Sequence, residues 1–129
     1  MNALISTIAP AKDDADILAA WQRITAAHAA LGICPDHTGP GVYSAEQRAH
    51  WDTIDAAEEE IRTATAETPQ GAEIQLWTGL IHLMNEDDVE AAILRRDLAW
   101  FNERDNTFDW HERLLLAGLR SLRAIGGAA

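Results

Sequence analysis

The feature that most constrains this chain is a helical apolar spacing that recurs along most of its length, with no strand pattern to compete with it. Ile17, Trp21, Ile24, His28 and Leu31 fall at intervals of 4, 3, 4 and 3, which lines them up on one face of an α-helix. Trp51, Ile54, Glu58, Ile61 and Thr65 repeat the pattern at 3, 4, 3 and 4. β-branched residues are scattered, and no alternating apolar–polar run sits between turn residues, so a sheet has nothing to build on. The fold class is therefore all-α.

Capping signals divide the pattern into elements. Asp13, Asp14 and Asp16 favour the positive end of a helix, and Gly32 is a natural stop, which places helix one at about 14–31. Ser44 and Gln47 form a capping box that opens helix two, about 45–67. Thr68 as cap and Pro69 in the first helical position open helix three, about 69–84. Its residues Ile74, Leu76, Trp77, Leu80, Ile81, Leu83 and Met84 lie on both sides of the helix, as befits a central element. Asn85 to Asp88 cap helix four, which carries Val89, Ile93, Leu94, Leu98, Trp100 and Phe101 as one unit. Helix five, about 108–125, aligns Phe108, Leu115, Leu119 and Leu122. The expectation is one helical domain over 1–129, with 1–12 and 126–129 as frayed ends. It is a compact bundle of about five helices, mostly antiparallel neighbours because their connections are short. The five tryptophans are expected in the core. Gly79 and Gly118, in two similar Leu-x-x-Gly-Leu stretches, are expected to let helices pack closely.

Charge narrows the function classes. There are 21 acids against 10 bases, for a net charge of −11. Such a chain repels phosphate backbones and anionic bilayers, so neither direct nucleic-acid binding nor a membrane partner is expected. The single cysteine forms no internal disulfide, which suits a cytoplasmic setting. The N-terminus has no basic region followed by an apolar run, so no signal peptide is read there. No stretch approaches a membrane span.

Candidate chemistry centres on Cys34, Asp36 and His37 in the loop ICPDHTGPG. A nucleophilic cysteine needs positive surroundings, and this one follows the negative end of a helix. A structural zinc site wants four ligands, and these are at most three and crowded together. The loop is read as a turn-rich connector, with Cys34 as a small apolar filler. His28 lies on an apolar stripe, His50 and His82 on helices, and His111 near the start of helix five. None sits three residues after a glutamate, so the di-iron bundle motif is absent. Glu58, Glu59 and Glu60 read as a solvated face, although the strict spacing turns Glu58 inward. No phosphate-loop, dinucleotide or nucleophile-elbow motif occurs. No catalytic residue, cofactor or metal ligand is assigned, and the chain leans away from being an enzyme.

Three segments carry a resemblance: Asp14-Ala15-Asp16-Ile17-Leu18, Trp51 to Glu58 (W-D-x-I-D-x-A-E) and Thr68 to Trp77 (T-P-x-G-A-E-x-x-L-W). Together they are similar to short all-helical proteins encoded in alphaproteobacterial genomes, some in prophage-like regions. The resemblance implies a helical fold with core tryptophans and a mobile-element setting. It carries over no activity, cofactor or site residue. The function expected is a non-enzymatic helical binding or adaptor protein, partnered with another protein or with itself as a homo-oligomer. The alternatives are an acidic decoy of a DNA-binding protein, and a metal-binding bundle using an inward Glu58, His28 or His82.

Overall fold

The computed structural model describes residues 13–34, 43–84 and 86–126. Of the ends expected to fray, 1–12 and 126–129, Gly126 is the last residue of a helix and the rest lie outside the described residues, as do the loop residues Asp36 and His37, and Asn85. Among those described, the helices are α1 (Ala15–Ile33), α2 (Ala45–Thr63), α3 (Pro69–Leu83), α4 (Asp87–Leu94), α5 (Leu98–Glu103) and α6 (Trp110–Gly126), with a 3₁₀ turn at Asp105–Thr107. No strand occurs among the described residues. The all-α class read from the spacing holds. No described helix is long and apolar enough to cross a membrane.

α1 and α2 form an antiparallel hairpin. Arg23 meets Glu60 at 2.9 Å near one end, and His28 stands edge-on to Trp51 near the other. α3 lies antiparallel to α2, with Gln75 reaching Ile61 and His82 reaching Glu58. α6 runs back along α3, with Arg123 against Glu73. α3 is thus central, as its all-round apolar character required. Its Ile74, Trp77, Leu80 and Ile81 are buried beside Ile24, Ile61, Ile93, Phe101, Leu116 and Leu119.

Local chemistry explains where the elements start. Ser44 accepts from the Gln47 backbone N–H while the Gln47 side chain accepts from the Ser44 N–H, closing the capping box. Thr68 caps α3 by accepting from the Gly71 N–H, with Pro69 in the first turn. Asp109 and Glu112 form a second reciprocal box that opens α6. Phe108 therefore precedes the helix, and α6 begins later than the expected 108.

Other boundaries also moved. α1 continues through Gly32 to Ile33. α2 ends at Thr63 rather than 67, because side chains from elsewhere take up the backbone there. Gln75 donates to the carbonyls of Ile61 and Ala64, and the Asp14 carboxylate accepts from the N–H groups of Glu67 and Thr68. The single helix expected over Val89 to Phe101 is two. Arg96 takes a left-handed φ of 51°. Its N–H bonds Ile93 O at 2.8 Å and the Asp97 N–H bonds Ala92 O at 3.0 Å, the paired bonds of a Schellman stop. Asp97 then caps α5 by accepting from the Trp100 N–H.

The tryptophans do not all serve the core. Trp21 and Trp77 are buried and Trp51 and Trp100 half-buried, whereas Trp110 is 69% exposed. The glycine expectation reverses. A Cβ on Gly79 or Gly118 would meet no heavy atom within 4 Å. Gly71 is the close approach: a Cβ there would stand 2.0 Å from Asp14 Oδ2.

Candidate functional site

A groove of about 830 Å³ lies between α2 and α3. It exists because two helical ridges face each other across it. α2 supplies Asp55, Glu58, Glu59, Ile61 and Arg62; α3 supplies Gln75, Thr78, Gly79 and His82. Residues three and four apart share a helix face, so these sets are contiguous stripes. At Gly79 the missing side chain leaves the α3 wall open. One end of the groove is tied by Gln75, which donates to Ala64 O at 2.8 Å. The other is bridged by His82 Nε2 and Glu58 Oε2, 2.9 Å apart.

Three carboxylates and one guanidinium line the groove, and the guanidinium is already engaged. Arg62 grips Glu59 through Nε and through Nη2 at 2.7 Å. That hydrogen bonding holds the Glu59 carboxyl below its ordinary value and raises the Arg62 guanidinium. Asp55 and Glu58 are left to set the sign of the field. Glu58 and His82, two residues for which an inward polar site was open, do come together. They do so on the groove wall, with the His82 side chain 67% exposed and that of Glu58 16%. The nearby Thr78 hydroxyl is committed to Ile74 O at 2.8 Å, so the dyad has no free nucleophile in that hydroxyl. The expected solvated face is only partly so: Glu59 and Glu60 are exposed in surface pairs with Arg62 and Arg23, but Glu58 is on the seam.

His28 belongs to a different place. Its ring packs edge-on to Trp51 at 5.7 Å, Nδ1 lies 3.8 Å from Glu90, and the buried Nε2 has no hydrogen-bond partner among the described residues. His111 is exposed against the Trp110 ring.

Two buried carboxylates escaped the reading of the sequence. Glu73, in the first half of α3, accepts from Trp77 Nε1 at 2.8 Å and from Arg123 Nη2 at 2.8 Å and Nε at 3.2 Å. Arg96 adds charge at 3.9 Å. Burial pushes the Glu73 carboxyl up, but the bonds from Arg123 and Trp77 and the two positive charges outweigh it, so it sits below its ordinary value. Asp14 behaves alike. Burial raises it, while the Thr68 hydroxyl and the N–H groups of Glu67, Thr68 and Gly71 pull it below the usual carboxylate range. The signal for Asp14 was present as a helix-start acid, but its side chain reaches the start of α3 rather than its own helix.

A third grouping joins Cys34, the residue closing α1, to Glu46 and His50 on α2. One donor atom from each lies within 4.8 Å of the other two. Glu46 and His50 are four apart and so share a face of α2. Burial and the neighbouring Glu46 carboxylate push the Cys34 thiol up. Cys34 thus faces an acid and a histidine from the next helix, while Asp36 and His37 lie outside the described residues. No protein-family model, characterised protein or solved structure matches this chain.

Proposed function

We propose that this chain is a non-enzymatic helical binding protein whose α2–α3 groove seats a basic, amphipathic helical segment of another protein. The observation that carries the reading is the groove itself: about 830 Å³, open at Gly79, and lined by three carboxylates whose only guanidinium is internally paired. Its size falls in the range of built ligand sites. A groove that sets Ile61 and the bare Gly79 among acidic side chains suits a helix that presents leucines on one side and lysines or arginines at the edge. The net charge of −11 would speed the encounter with such a partner. A cytoplasmic setting, where Cys34 stays a thiol, belongs to this reading.

Self-association belongs to it as well. Trp110, Leu114 and Ile125 on α6 are each more than half exposed, which leaves apolar surface for a second copy. Sedimentation at rising concentration tests this part; a monomer throughout would remove it.

The groove is tested with isotope-labelled protein and two designed peptides, one amphipathic with lysine edges and one with the same leucines and glutamate edges. The basic peptide should shift the amides of Glu58, Thr78, Gly79 and His82, more weakly as salt rises. Asp55→Lys with Glu58→Lys should abolish the shifts. Equal response to both peptides, or shifts located away from α2 and α3, would overturn the reading.

A further inference from the structure

We propose that Cys34, Glu46 and His50 bind a single zinc ion that fastens the end of α1 to the first two turns of α2. The inference is independent of the groove. A thiol, an imidazole and a carboxylate are the donor set zinc takes in proteins, and a thiolate with a carboxylate balances its double charge. The geometry suits it. Donor atoms within 4.8 Å of one another leave a point no more than about 2.8 Å from all three, against zinc bonds of about 2.0–2.3 Å. Inward movement of roughly half an ångström completes the site, well within the reach of an exposed Glu46 and a half-exposed His50.

The Cys34 thiol already hydrogen-bonds the Glu46 carboxylate, and zinc would take the place of that proton. His50 Nε2 and Glu46 Oε1 stand 4.0 Å apart, beyond hydrogen-bond reach. The backbone holds them in place: the Cys34 N–H bonds Leu31 O at 3.3 Å, and the Ser44–Gln47 capping box fixes the turn that carries Glu46. Carbonyls at the end of α1 add negative potential on the cysteine side. Three protein ligands fall short of the four of a closed structural site, so the fourth position is taken by water, as in open zinc sites.

Cobalt(II) is the probe, since its thiolate complexes absorb in the near ultraviolet and zinc's do not. Untagged protein stripped with a chelator is titrated with cobalt(II), then with zinc. The expected result is a thiolate-to-cobalt band that saturates at one equivalent and vanishes as zinc displaces cobalt. Cys34→Ser should remove the band. Glu46→Gln and His50→Gln should each weaken cobalt binding at least about tenfold. His111→Gln, at an exposed position on α6, should leave it unchanged. Circular dichroism of each variant separates lost ligation from lost folding. Absence of the band in the unaltered protein would overturn the proposal. So would a band whose affinity survives both the Glu46 and the His50 changes.

Discussion

Glu73 and Glu58 each stand about one hydrogen bond from an aromatic ring nitrogen on α3, at 2.8 Å from Trp77 Nε1 and 2.9 Å from His82 Nε2. Distance does not separate them; everything else around them does. Glu73 also takes two bonds from Arg123 and a charge from Arg96, and its side chain is only 6% exposed. Both its oxygens are hydrogen-bonded inside the protein. Glu58 keeps one oxygen free of any described partner and borders an open groove. A carboxylate saturated by its own fold is an anchor. One left half-satisfied beside a cavity is available to something else.

Replacing each in turn gives the largest contrast. Glu73→Ala removes the partner of Arg123, which is 31% exposed, and leaves the buried Trp77 Nε1 without an acceptor, which should cost about 2–3 kcal/mol. Glu58→Ala breaks a single pair whose His82 partner is 67% exposed and stays solvated, and should cost about 1 kcal/mol. Urea denaturation measures both, with unchanged slope as the sign that the fold persists. Equal losses would erase the distinction between anchor and rim.

Acidification sharpens the same contrast. Folding holds Glu73 below its ordinary 4.5 and Asp14 below its ordinary 3.8. The unfolded chain therefore takes up these protons first as pH falls. The stability these groups lend is complete above about pH 4.5 and drains away as pH drops through their folded values. Glu73→Gln should be less stable than the unaltered protein at pH 7 and should lose less between pH 5 and pH 3. Thermal melts across that range give the two slopes. Parallel slopes would mean that Glu73 is not a titrating anchor.

What was legible in the sequence was local. The Ser44–Gln47 box, the Thr68–Pro69 start and the stripe from Ile17 to Ile24 span a few residues each, and each stands where the spacing put it. What was hidden was long-range or conformational. Asp14 meets Thr68 across 54 positions and Glu73 meets Arg123 across 50. No periodicity links residues so far apart. The break at Arg96 was invisible because the left-handed stop lacks the usual glycine. An arginine there puts its guanidinium near Glu73, which offsets a backbone cost of about 1–2 kcal/mol. Cys34 was weighed against Asp36 and His37, its neighbours in sequence, while the groups that face it come from the following helix.

The two glycines of α3 carry the comparison down to a single methyl group. Gly71 faces the sealed side. Adding a Cβ would drive it into Asp14 Oδ2, and moving Asp14 disturbs its bonds to Glu67 and Thr68. Gly71→Ala should therefore cost about 2 kcal/mol. Gly79 faces the groove, where a Cβ meets nothing. In mid-helix, Gly79→Ala should stabilise by about 0.5–1 kcal/mol, because alanine loses less backbone freedom on folding. The smallest of these effects is also the most informative. A bulkier Gly79→Leu should keep the helix intact while filling the α3 wall, so it should weaken the basic peptide's binding without lowering the melting temperature. Peptide affinity unchanged in a well-folded Gly79→Leu protein would mean that the opening at Gly79 is not part of the binding surface. The contrast between the sealed and open sides of α3 would then be one of packing alone.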